Sequence, residues 1–288
     1  MNYEAQDILT ERARPRAELW RTGSGIVILV AGTLVLTAIW VLAVPLFGLS
    51  GGGAAGPGGT APGMIWILGS FLCPLAMLTV VMRGLYGRSL WSLVGPAGLV
   101  WQQFLRVLPV AGGVLALALL LPSPAGYEPV VNLPVSSWLV WLVPALALLV
   151  VQVGTEELVF RGYLQSQLAA RVRSPLVWLV LPSVVFAVLH LDPAAGANRW
   201  LVVAITGLFA LSVADLTARA GTLGPAMAMH LVNNFGSLML VGAQGPMQGL
   251  ALYVMPLDMA DPVLRPVLLV EALLITIAWL GARLALRR

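Results

Sequence analysis

The sequence predicts an all-α, polytopic membrane protein of about eight transmembrane helices. Two observations carry this. Hydrophobic residues make up 59% of the 288-residue chain and charged residues 10%, where a soluble domain carries about 25% charged residues; mean hydropathy is +0.93. Apolar runs close to the ~20 residues that a membrane-crossing helix needs also recur along the whole chain, with charge confined largely to the gaps between them.

Eight runs are read, at approximately 25–49, 64–82, 104–121, 138–157, 175–191, 200–217, 222–241 and 263–282. The third and fifth are short. The fourth either ends at Glu157 or continues to about Ala170, with a kink at Pro144. The first 24 residues are polar, with alternating charge as in TERARPRAELWR, and read as a cytoplasmic tail with a short interfacial helix. The first apolar run is too long for a signal-peptide h-region and reads as a retained signal anchor. Ser50–Gly63 is uncharged, rich in glycine and flexible by composition; Leu121–Pro134 is a second loop on the outer side. No internal repeat supports the inverted halves of a transporter. The single cysteine, Cys73, excludes an intramolecular disulfide.

Charge orients this arrangement. The chain has 16 arginines and no lysine, and an eight-span order with both termini cytoplasmic collects 14 of them on one side. The positive-inside rule favours that orientation over a seven-span one. The pI near 9.8 therefore reflects topology and not nucleic-acid binding, since the basic residues are scattered between apolar runs.

Chemistry concentrates in three places. Ionisable groups within a bilayer are expensive and often mark function. The chain has two histidines, His190 and His230, both in apolar segments. In TEELVFRGYLQSQL, Glu157 and Arg161 are spaced i, i+4 and can pair, which favours ionised Glu157; Glu156 projects elsewhere without a local partner and can act as a general base. In FAVLH, Phe186 and His190 share a helical face. In HLVNN, His230 and Asn234 share a face while Asn233 points about 100° away, so this stripe can bind a metal, orient water or donate to an oxyanion. Each pattern also has a plain structural reading: a solvated helix end, an interfacial histidine, or interhelical hydrogen bonding.

Taken in order on three apolar helices, Glu156-Glu157-x-x-x-Arg161, Phe186-x-x-x-His190 and His230-x-x-x-Asn234 resemble the CPBP family. These are the CAAX-prenyl-protease-type and bacteriocin-processing intramembrane proteases, also called the Abi family. The resemblance covers about Ala145 to Gly242. It implies eight helices around a polar intramembrane cavity. It implies catalytic roles for Glu156, His190, His230 and Asn234, with Glu157, Arg161, Phe186 and Asn233 in support. Glu156 would activate a water, His190 would help position it, and His230 with Asn234 would bind or polarise the scissile carbonyl.

The cofactor is either Zn2+ or none. Glu156, His190 and His230 supply the donor types of a zinc site, but H-E-x-x-H is absent, so three separate helices would have to bring them together. Serine and aspartyl intramembrane proteases are disfavoured: the one G-x-S-G, Gly48 to Gly51, falls where the first apolar run gives way to the glycine-rich linker, and G-x-G-D is absent.

The chain thus divides into a cytoplasmic tail (1–24), N-terminal transmembrane helices (25–137), a CPBP-like catalytic core (138–242), and a last transmembrane helix with a basic tail (243–288). The expected function is hydrolysis of a peptide or membrane-anchored protein in the bilayer. The Arg-, Gly- and Ala-rich composition suggests a prokaryotic plasma membrane. The alternatives are a non-enzymatic scaffold or bacteriocin self-immunity protein, and a transporter. One difficulty stands out: on this span map Glu156 falls near the cytoplasmic end of its helix and His190 near the outer end of the next, whereas a catalytic cluster needs one depth.

Overall fold

A computed structural model describes residues 3–48 and 56–287. The end of the first predicted run, the first part of the predicted Ser50–Gly63 linker and Arg288 lie outside the described residues. The fold is helical, and we name the helices in chain order: α1 (Asp7–Ala13), α2 (Leu19–Leu42), α3 (Ala61–Tyr86), α4 (Ala97–Leu119), α5 (Val135–Arg171), α6 (Leu176–Val188), α7 (Arg199–Ala220), α8 (Gly224–Phe235) and α9 (Leu264–Leu286). Among the described residues, six helical segments are long and apolar enough to cross a membrane: α2, α3, α4, α5, Pro193–Ala220 (α7 with its leading turn) and α9. The predicted fifth and seventh runs fold as the shorter α6 and α8, the latter extended by one widened turn at Gly236–Leu240.

In α5 the fourth run takes the longer of its two readings. It passes Glu157 without a break and ends at Arg171, 37 residues long. At 1.5 Å per residue that is roughly 55 Å, well beyond the ~30 Å hydrocarbon core. Pro144 is accommodated within it, and immediately after the two glutamates the helix widens to π geometry over Leu158–Gln165. Ser166 Oγ donates to the Arg161 carbonyl at 3.2 Å, five residues back, and so supports the widened turn. Gly162 lies at a close approach: a Cβ there would come within 2.9 Å of Leu93 Cβ and 3.1 Å of the Leu93 carbonyl.

The departure from the span map is α6. Beginning at Leu176, directly after the turn that ends α5, it is only about 20 Å long. Glu156 lies 15 residues before Arg171, and His190 14 residues after Leu176. Both are therefore roughly 21–23 Å from the same turn. The depth conflict in the span map disappears.

The turn joining α7 to α8 is likewise recessed. Thr222 and Leu223 are fully buried, Thr222 bonds Gln103 on α4, and Gly221 adopts φ +71° against the backbone of Ala5. The N-terminal residues cover this turn. Leu9 and Ala13 of α1 are buried, Gln6 accepts from Gln165 Nε2 at 3.1 Å, and Tyr3 donates to Asp215 at 2.7 Å. α8 packs against α4, α5 and α7, while α9 closes over α4 and α7. This places α8 at the centre of the bundle.

At the opposite end lies a small sheet that the sequence reading did not anticipate. Its strands are β1 (Val130–Val131), β2 (Val241–Ala243) and β3 (Tyr253–Met255), in the order β1-β3-β2, with β1 antiparallel and β2 parallel to β3. Asn132 Nδ2 ties it down through the carbonyls of Gln248 and Ala251. Backbone groups that leave a helix and stay covered need partners; these loops find them in one another.

Candidate active site

Arg161 anchors the site. It is 1% exposed, and its Nη1 donates to Glu157 Oε1 at 3.1 Å while Nη2 donates to the Ala210 carbonyl of α7 at 3.0 Å. Its guanidinium carbon stands 4.9 Å from the Phe186 ring centre. Glu157, 0% exposed, also meets His230: its Oε1 lies 2.7 Å from Nδ1. A carboxylate accepts, so Nδ1 carries the proton. The i, i+4 pair read from the sequence thus extends into a third helix.

His230 then faces Glu156. Its Nε2 lies 3.4 Å from Glu156 Oε2, inside ion-pair range, yet Oε2 has no hydrogen-bond partner among the described residues. The two adjacent glutamates therefore occupy opposite sides of one imidazole. Glu157 orients the ring, and Glu156 waits at its free nitrogen.

His190 stands at the end of α6. Its Nδ1 is 2.8 Å from the Phe186 carbonyl. A carbonyl can only accept, so Nδ1–H donates and Nε2 is left as an acceptor. Phe186 is the hub between the histidines: its ring lies 4.6 Å from that of His190 and 6.2 Å from that of His230, and packs edge-on against Phe160 at 5.0 Å.

Asn234 is held from two sides. Its Nδ2 donates to Gln152 Oε1 at 2.9 Å, and its Oδ1 accepts from Asn233 Nδ2 at 3.3 Å. That fixes the orientation of the amide and leaves one Nδ2–H uncommitted. Gln152 was not singled out from the sequence, although it stands i, i+4 before Glu156 as the one amide in its run.

His190, His230, Asn233 and Asn234 line one cavity of about 120 Å³, together with Phe186, Phe209, Thr206 and Glu271. Glu156 does not line it and reaches it through His230. Glu271, on α9, also went unread, although a lone carboxylate in an apolar run is itself a functional signal.

The donor set does not fit the metal considered above. Among the described residues no three His, Cys, Asp or Glu side chains converge where one ion could bind. His230 and His190 each spend Nδ1 on a hydrogen bond and keep Nε2 free, as a ligating imidazole would, but with Glu156 they do not gather around one point. No metal-dependent step is drawn from this geometry.

What the arrangement can do is hold and move a proton beside a cavity that also offers an amide donor. The segment that builds it has a known counterpart. Residues 136–236 match the family described as type II CAAX prenyl endopeptidase Rce1-like. No curated protein and no solved structure matches the chain. The matched segment runs from the first turn of α5 through α8 and contains all seven residues on which the resemblance rested. Over this segment the chain is similar to the CAAX-type membrane proteases.

Proposed function

We propose that this chain is an intramembrane endopeptidase that hydrolyses a peptide bond of a membrane-associated peptide or protein by attack of water. The observation that carries this reading is the continuous chain Arg161–Glu157–His230–Glu156, ending beside a cavity lined by His190 and Asn234. Amide hydrolysis needs a base for the water, a donor for the oxyanion and a proton for the leaving amine. Arg161 pairs with Glu157, and Glu157 accepts from Nδ1 of His230, which turns Nε2 of the ring to Glu156. A proton taken from the attacking water would convert the 3.4 Å approach between Nε2 and Oε2 into a hydrogen bond. The pair keeps that proton until the leaving amine takes it. The remaining hydroxyl adds to the carbonyl carbon.

His190 contributes Nε2 as an acceptor that aligns the water, and Asn234 contributes its uncommitted Nδ2–H to the oxyanion. His230 is thereby given a proton-holding role in place of the carbonyl-binding role implied by the resemblance. The core of the enzyme is 138–242. The arginine asymmetry supports cytoplasmic termini with the sheet on the outer side, and the composition supports a prokaryotic plasma membrane.

The test is Glu156→Gln in lipid nanodiscs, assayed on membrane-anchored reporter peptides. Turnover should fall about 10³-fold, within the range for loss of a general base, with the melting temperature unchanged. Undiminished turnover, or a variant that is silent because it unfolds, would overturn the assignment.

A further inference from the structure

Glu271 sits where two cavities meet. The 120 Å³ catalytic cavity and a second one of about 830 Å³ share four lining residues: Phe209, Asn233, Glu271 and Ile275. The larger cavity runs from this seam toward the sheet end, past Leu115, Leu119, Pro124, Val267 and Val270. Its walls are apolar, and Glu271 is the one ionisable residue in them. The Glu271 side chain is exposed into this space, and no hydrogen bond or ion pair joins it to another described residue. Each ionisable side chain that makes up the catalytic chain has a partner; Glu271 has none.

An unpaired carboxylate in apolar surroundings is costly to keep without function, and a cation brought to it out of water would be held by a charge-assisted hydrogen bond. The cavity volume falls within the range of small-ligand sites and suits a few apolar residues or one acyl chain, not a whole helix. Glu271 thus stands at a seam, with an apolar cavity on one side of it and the catalytic pocket on the other. Membrane-anchored proteins offer the complement, an apolar segment followed by Lys or Arg at its cytoplasmic flank. We infer that Glu271 is a specificity-determining residue that binds a basic group of the substrate beside the scissile bond, while the apolar part of the same substrate occupies the larger cavity. This rests on the protease reading for the bond that is cut, but the binding site itself does not.

The experiment has two arms. In the first, reporter peptides anchored in nanodiscs carry Lys, Met or Glu in turn at each position flanking the cleaved bond, and the Lys-to-Met ratio of kcat/KM is read. Wild type should prefer Lys at one position by about tenfold. Glu271→Gln should bring that ratio to near one, and Glu271→Lys should turn the preference to Glu. In the second arm a dodecylammonium probe with a photoreactive tail, and its alcohol counterpart, are cross-linked to the Glu156→Gln protein. The ammonium probe should label the wall of the larger cavity preferentially, and adding Glu271→Gln should abolish the preference. A Lys preference that survives Glu271→Gln, or equal labelling by both probes, overturns the inference. Ammonium-selective labelling without cleavage of any reporter supports the site and overturns the protease reading instead.

Discussion

Replacing Arg161 with methionine tests the buried end of the proton-holding chain. Methionine keeps most of the length and apolar contact and deletes the charge. Glu157 is then left 0% exposed without the guanidinium 3.1 Å away; stranding one partner of a buried ion pair costs about 3–5 kcal/mol. The Ala210 carbonyl loses its donor at 3.0 Å, worth about 1–3 kcal/mol when the acceptor stays buried. The contact with Phe186, 4.9 Å from the guanidinium, adds up to about 2 kcal/mol. These terms share one side chain and do not sum. A net loss of about 4 kcal/mol is expected, toward the middle of the range for a broken buried pair. Reversible unfolding in mixed micelles, titrated with a denaturing detergent, measures it for wild type, Arg161→Met, Glu157→Gln and the double variant. The double variant no longer buries a stranded charge, so it should recover at least half of the loss. A loss under about 1 kcal/mol for Arg161→Met, the level of a solvated surface pair, or strict additivity in the cycle, would refute the reasoning.

Three further outcomes follow from the geometry. Gln152→Leu removes the acceptor that orients Asn234, and turnover should drop about 10²-fold as the amide drifts; Gln152→Glu, which keeps an acceptor, should restore much of it, and equal rates in the two variants would dissociate Gln152 from Asn234. Gly162→Ala forces a methyl group against the Leu93 backbone region, where the gap is 2.9–3.1 Å. A loss of about 1–3 kcal/mol is expected from overpacking, and unfolding that matches wild type would show that the helices separate freely there. Asp261, outside the spans, is held below the usual carboxylate range by the Val263 amide and then by the Tyr127 hydroxyl, each at 2.8 Å. A depressed folded value means that its stabilising contribution is complete above the unfolded value near ~3.9 and is lost as pH falls through the lower folded value. Exchange of the Val263 amide, corrected for intrinsic rates, should therefore accelerate in that acid window in wild type and show no such step in Asp261→Asn; a wild-type profile without the step would contradict the linkage.

The residue types of the site were legible because they are so rare in this chain. Two histidines and a Glu-Glu-x-x-x-Arg cluster stand out against apolar runs, and their i, i+4 partners are local. Glu157–Arg161 needed only helical spacing to be paired correctly. Gln152 and Glu271 escaped because their meaning is not local. Gln152 matters through Asn234, 82 residues away, and Glu271 through a cavity wall that it shares with α7 and α8.

The sequence alone determined the class: an apolar chain must satisfy its backbone within helices when it enters a bilayer, and that leaves few architectures. It also determined the inventory of polar groups and the local pairs. Only the tertiary structure decided where those groups meet. Hydropathy registers whether a residue tolerates lipid, not where a helix ends. It therefore left the end of α5 open between Glu157 and about Ala170, and could not bring His190 to the depth of Glu156. In the folded chain α5 runs on to Arg171, α6 stops short, and Glu156 and His190 arrive at one depth from a common turn. The third participant, His230, then comes between the two glutamates, because the turn before α8 is recessed beneath the N-terminal helix. That contact depends on packing between segments 73 residues apart, which no window of the sequence contains.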